Sequence, residues 1–322
     1  MRSRRSLLAA AAVLAFAVPS LASAQTAGQT RIVVPFTAGG VVDSIARIVA
    51  EKMTAKSGQQ VIVDNRAGAG GSVGTEFVAR STPDGTTLLL VSPGHAVATS
   101  LNKKLGWDPV RDFRAIAGFG VIPNVIVVHP GVAAQTLPEF VALAKKSPAP
   151  LTYATAGIGT SNHLSGELLA QSAGIKLTHV PYKGQPDALN DLLGGRVDMM
   201  PLTVALAAPH LKTGKLRALA VTTATRSTAL PNVPTAAEAA GLPGYEVGTW
   251  FGLVAPAKTP DETVRKLAGE LTEILAMPDV KQRLEQLGME LAPQTPQQFD
   301  AFVGREQQKW ARVIKQAGIE AQ

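Results

Sequence analysis

Short apolar runs alternate with amphipathic stretches along this chain. Residues 31–34, 61–63 and 86–91 are apolar runs of strand length, the last rich in β-formers. Between them Ile45, Ile48, Val49 and Met53, and then Val73, Phe77 and Val78, recur at helical spacing. The pattern restarts after Val121. Strands are expected over 125–128, 151–154, 177–180, 197–202 and 216–221. Helices are expected over 137–146, through Leu164, Leu168 and Leu169, and over 186–193 and 204–211. A long strand over 246–255 precedes three closing helices, 261–276, 280–287 and 296–317. This alternation predicts an α/β architecture with a largely parallel sheet, and two runs of similar size predict two lobes. Open sheets of this kind bind ligands at the strand-to-helix loops, here in a cleft between lobes.

Two of those loops are rich in glycine. Ile32-Val-Val-Pro-Phe-Thr-Ala-Gly-Gly-Val-Val-Asp43 runs from a strand through Gly39-Gly40 into a helix. Backbone N–H groups and the positive end of a helix then meet at one spot, which suits an anion. Tyr153-Ala-Thr-Ala-Gly-Ile-Gly-Thr-Ser-Asn-His163 repeats this logic, with Gly157 and Gly159 turning the backbone and Thr160 or Ser161 capping the next helix. Neither loop has the spacing of a dinucleotide or P-loop motif, so a carboxylate fits as well as a phosphate.

The N-terminus narrows where that anion is met. Arg2, Arg4 and Arg5 precede a short apolar run over 7–18 and an Ala22-Ser23-Ala24 cleavage motif. These are the parts of an export signal, with the mature chain starting at Gln25. Two adjacent arginines, Arg4 and Arg5, leave the Sec and twin-arginine routes both open. Removing 1–24 takes away three arginines and no acid, leaving +4 of the formal +7 charge. The remaining basic residues are scattered rather than interleaved with aromatics, which argues against nucleic-acid binding. The chain has no cysteine, so disulfides, cysteine-ligated zinc and a cysteine nucleophile are excluded.

Several segments occurring in order, VPFTAGGVVD, VDNRAGAGGSVGTEFVARSTPDGTTLLL, YATAGIGTSNHLSGELL, HVPYKGQPDALNDLLGGRVDMM, GKLRALAVTTATRSTALPNVPTAAEAAGLP and TWFGLVAPAKTP, cover nearly the whole mature chain. Together they resemble the periplasmic substrate-binding proteins of tripartite tricarboxylate transporters, the Bug-type receptors. The resemblance implies a type II periplasmic-binding fold, a two-lobed Venus flytrap, with one lobe made of 25–122 plus 250–322 and the other of 123–249. It implies a monomer without cofactor that captures a small carboxylate and delivers it to the membrane subunits of a transporter. A receptor presenting its ligand to a sensor kinase would share the same fold and site.

The ligand-contacting residues implied in this way are Phe36, Thr37, Ala38, Gly39, Gly40, Val41 and Asp43 in one jaw, and Ala154, Thr155, Ala156, Gly157, Gly159, Thr160 and His163 in the other. Pro181, Tyr182 and Asp198 are expected at strand ends facing the cleft, and Ser92 and His95 in its wall. Where the family carries a small or hydroxylated pair after the glycines, this chain has Val41-Val42. That change removes a hydroxyl and favours an aromatic or aliphatic carboxylate over a highly polar one. Asp43 also suits a helix-capping role three residues after Gly40, Lys183 a rim charge that steers anions, and Gly68, Gly70 and Gly71 a tight turn. Trp107, Trp250 and Trp310 read as packing residues. An exported hydrolase is disfavoured. Ser161 and His163 are two apart on a helix start and do not face each other, and neither a G-x-S-x-G elbow nor an H-E-x-x-H motif is present.

Overall fold

The structure is a computed structural model describing residues 29–68, 71–182 and 184–319. The leader with its cleavage site, Gly70 and Lys183 lie outside the described residues.

Two βα runs are joined by long strands. The first holds β1 (Thr30–Val34), α1 (Val41–Ser57), β2 (Val61–Asn65), α2 (Ser72–Ala79), β3 (Thr87–Val91) and α3 (Pro93–Leu101). β4 (Phe113–Val128) then carries the chain into the second run. That run holds α4 (Leu137–Lys146), β5 (Leu151–Thr155), α5 (Ser161–Ala173), β6 (Leu177–Pro181), α6 (Gln185–Leu193), β7 (Met199–Thr203), α7 (Val204–Lys212), β8 (Arg217–Val221) and α8 (Ala236–Ala240). β9 (Gly248–Pro256) brings the chain back, followed by α9 (Asp261–Ala276), α10 (Pro278–Gln286), β10 (Glu290–Gln294) and α11 (Pro296–Gln316).

The strand order is β2-β1-β3-β9-β4-β7-β5-β6, with β8 and β10 also paired to β4. β1 is parallel to β2 and β3, and β5 is parallel to β6 and β7, as the alternation predicts. The strands between these triplets depart from that expectation, since β9 and β4 run antiparallel to their partners. One strand leaves the first lobe and the other returns, so they must point in opposite directions. β4 changes partner midway: Pro123 faces Gly248 of β9, and the next residue, Asn124, faces Thr203 of β7. The two βα runs meet at this crossing.

The first half of β4 has no alternating signature, because Gly118, Gly120 and Pro123 interrupt it. Gly120 has a structural reason: its φ is +156°, and a Cβ there would stand 2.3 Å from the Glu290 carbonyl oxygen of β10. Only glycine lets β10 come that close.

Each lobe has its own core. Ile32, Val34, Leu88 and Leu90 pack against the apolar faces of α1 and α9 in the first. Phe140, Tyr153, Leu164 and Tyr245 fill the second. α11 serves both. Its Phe299 and Val303 join a first-lobe cluster with Val33 and Trp250, while Trp310, Val313 and Ile314 enter the second-lobe core. Trp107, Trp250 and Trp310 are all buried. Between the two ends of α11, one oxygen of Glu306 accepts from the indole N–H of Trp250 at 3.1 Å and of Trp310 at 2.8 Å.

Candidate carboxylate site

At the carboxyl ends of β1 and β3 three helices of the first lobe begin together. Gly40, Gly71 and Ser92 precede α1, α2 and α3, and no side chain among the described residues caps any of them. Pro93 has no N–H and the His95 N–H is taken by the Ser92 carbonyl, so α3 offers the Gly94 N–H, while the leading N–H groups of α1 and α2 are open to an external acceptor. Phe36, Gly71, Ser92 and His95 also border a cavity of about 20 Å3, room for roughly one water.

The first jaw is shaped by Asp43. Gly39 turns through φ +86°, and Thr37, Ala38, Gly39 and Gly40 are exposed. Asp43 itself is 3% exposed and points inward. Its carboxylate accepts from the Gly39 N–H at 3.0 Å, from Arg47 Nε at 2.8 Å and Nη2 at 3.0 Å, and from Asn65 Nδ2 at 3.0 Å. The Arg47 guanidinium, helped by Gly39 and Asn65, holds the Asp43 pKa down at about 2. Asp43 is thus occupied in fixing the loop, with neither oxygen left for a ligand. Asn65 also donates to the Phe36 carbonyl at 3.2 Å, tying the other end of the same loop to β2. Phe36 and Val42 turn onto the first-lobe core. Val41 stays 41% exposed at the helix start.

The second jaw is held from behind by two histidines. Thr160 caps α5, and its hydroxyl donates to the Gly157 carbonyl at 2.7 Å. His163 is 2% exposed, and its Nδ1 accepts from the Gly159 N–H at 3.3 Å. Thr155 accepts from the Gly157 N–H at 3.1 Å and bonds His179 Nε2 at 2.7 Å. The two imidazoles touch, with centroids 4.4 Å apart. Burial, and for His163 its neighbour His179, lowers their pKa values to about 3 for His163 and about 4 for His179. Both are neutral at pH 7, which suits an acceptor Nδ1 on His163. His163 therefore positions the jaw and does not present a charge to the cleft. Ala154 is buried in the core and Ala156 is half-buried, while Ile158 at the loop tip is 50% exposed. The second jaw lies close to the first lobe, since a Cβ on Gly159 would stand 2.8 Å from Leu101 of α3.

The remaining expected residues divide. Ser92 is buried at the start of α3, where its carbonyl accepts from the His95 N–H at 2.9 Å. His95 turns away from the cleft, stacking on Trp107 with Nε2 3.1 Å from the Pro109 carbonyl; burial depresses its pKa to about 4. Pro181 is exposed at the end of β6, and the Tyr182 N–H donates to Thr155 at 3.0 Å, so this backbone borders the second jaw. The Tyr182 phenol instead donates to Asp191 at 2.7 Å and, through burial and that carboxylate, is pushed up to about 12. Asp198 is a correction. It precedes β7, and its carboxylate accepts from the N–H and hydroxyl of Thr152, near the start of β5, at 2.7 and 2.8 Å. In parallel strands both positions lie at the end opposite the jaws, so Asp198 clamps strands and does not face the cleft.

A cavity of about 850 Å3 lies behind the crossing strands against α11, and no expected jaw residue lines it. Among the described residues no three His, Cys, Asp or Glu side chains are grouped to hold a metal, and no helix is long and apolar enough to cross a membrane.

The family model described as "tripartite tricarboxylate transporter family receptor" matches residues 45–319. The chain belongs to that family. Among solved structures, the periplasmic binding protein BugD is similar to this receptor at 38% identity and TM-score 0.77, covering 91% of this chain and 99% of that one. Rpa4515 of R. palustris, solved with adipate, gives 35% identity and TM-score 0.79, covering 90% and 97%. MatC of Rhodopseudomonas palustris, solved with malate, gives 34% and 0.76, covering 89% and 98%. The receptor is a periplasmic solute-binding protein of two-lobed fold, and its family's members are binding proteins rather than enzymes.

Arg47, Asn65 and His179 were missing from the sequence reading of this receptor's jaws. Asn65 had a signal, standing at the end of a strand just before a glycine-rich turn. His179 had none, because its partners Thr155 and His163 come from other elements.

Proposed function

We propose that this receptor holds a small aliphatic carboxylate between residues 36–43 and 154–163 and delivers it to the membrane subunits of a tripartite transporter. On this reading the lobes are 25–122 with 250–322, and 123–249, and the leader is removed after Ala24. The observation that carries the reading is the convergence of three helix starts without side-chain caps at one edge of the first lobe. Donors gathered with no cationic side chain bonded to them among the described residues suit one carboxylate group. Each jaw also exposes one aliphatic tip, Val41 and Ile158, which suits a ligand with an alkyl body. The adipate held by Rpa4515 has that chemistry.

Thermal melting against adipate, malate, hexanoate and citrate tests this. At a hundredfold excess over Kd a ligand stabilises by about 2.7 kcal/mol, which moves the midpoint by several degrees. Adipate should give such a shift and citrate none. A midpoint unmoved by every acid would overturn carboxylate capture, and a preference for citrate would overturn the aliphatic assignment.

A further inference from the structure

We infer that the cavity behind the crossing strands is a second binding site, separate from the jaws, for an aromatic acid: an aromatic body that carries one anionic group and one N–H or O–H donor.

The cavity has the size for such a ligand, since its volume of about 850 Å3 falls within the roughly 300–1,000 Å3 of small-molecule sites. One wall is aromatic. Trp250 and Phe302 meet edge to face with centroids 5.4 Å apart, and Phe302 lies parallel to Phe299 at 6.1 Å. Trp250 and Phe299 are buried, whereas Phe302 is only half-buried, so its ring keeps surface for a further aromatic partner. Leu168 of the second run and Phe251 of the first-lobe core also border the cavity, so an occupant touches both halves of the molecule.

The charge recognition comes from α11. Arg305 and Arg312 stand seven residues apart, about two turns along one face of this helix, and both line the cavity. Both are exposed, and neither is paired with an acid among the described residues. Three acids share the wall, but they are differently placed. Glu306 accepts from the two indoles, and Glu290 accepts from the Thr228 N–H at 3.0 Å. Glu246 lies beside Lys309, whose ammonium donates to the Glu246 carbonyl. Two guanidiniums are therefore left for a carboxylate or sulfonate, which they bind by paired N–H donors. Beside Gly118 the Gln294 amide oxygen also lines the cavity, buried and without a partner among the described residues. A buried acceptor of that kind favours an occupant that brings a donor.

The probe is 1-anilinonaphthalene-8-sulfonate, which combines aromatic rings, one sulfonate and one N–H and brightens on leaving water. Titrated into the intact mature receptor, it should saturate at one equivalent. Arg305→Glu and Arg312→Glu should each weaken it by about tenfold or more. Both should melt as the unaltered protein does, because these side chains hold no ion pair in the fold. Asp43→Ala, which alters the first jaw, should leave dye affinity unchanged. No saturable binding by the unaltered protein, undiminished affinity in both arginine variants, or loss of the dye in Asp43→Ala would overturn the second site. None of these results bears on adipate capture, which the thermal shifts read separately.

Discussion

Between pH 6.5 and pH 5 the receptor should lose folding stability steeply, by up to about 4 kcal/mol per pH unit. The cause is three histidines held neutral by burial. Burial depresses His95 and His179 to about 4 and His163 to about 3, whereas an exposed imidazole titrates near 6.5. In this window the unfolded chain binds three protons that the folded chain does not. Stability is then fully present above pH 6.5 and falls as pH drops toward the folded values, at about 1.4 kcal/mol per unit for each group. The figure is an upper bound, because a folded structure relaxes to admit some of the charge. Glu270 and Asp300, pushed up by burial, act with the opposite sign and offset part of this loss. Urea midpoints at pH 7, 6 and 5 read the net slope, and a histidine variant reads one histidine's share of it. His95→Phe, which keeps the ring against Trp107 and Phe113, should lower the slope by roughly a third. A midpoint that does not move between pH 7 and pH 5 would refute this.

Asp43→Ala should cost about 2 kcal/mol of stability and at least tenfold in adipate affinity. The stability figure follows from the native pKa of about 2 against an ordinary 3.8; that contribution is present above pH 3.8 and lost as pH falls toward 2. The affinity loss has a separate origin. Without the carboxylate, the Gly39 N–H loses its acceptor, the Asn65 amide keeps only the Phe36 carbonyl, and Arg47 keeps only a long 3.4 Å bond to Asn65. The first jaw is then no longer held in one shape, and the ligand must supply the ordering. Asp43→Asn keeps one acceptor oxygen and should recover part of both losses. Wild-type midpoints together with wild-type affinity in Asp43→Ala would show that the jaw does not depend on this side chain.

The jaws were legible in sequence as backbone, because the turns require it. Gly39 at φ +86° and Gly157 at φ +121° occupy conformations that favour glycine. The direction of the jaw side chains was not legible. Asp43 and His163 stand in the two glycine-rich loops, yet both turn inward, one toward Arg47 and Asn65, the other toward Gly159 and His179. Asp198 was misplaced because an apolar run does not say at which end of a strand its flanking acid lies relative to the neighbouring strand. The strand beginning at Phe113 was unreadable where glycine and proline interrupt it, and the chemistry of the crossing went unread with it. Asn124 bonds Ser161, which in turn meets Thr249, partners 37 and 125 residues downstream.

The carboxylate of Glu306 holds two indoles, one on a strand that joins the lobes and one packed in the second-lobe core. A rotation of one lobe against the other would strain this shared contact and change the emission of two of the chain's three tryptophans. Emission spectra with and without adipate would then read closure with no added dye.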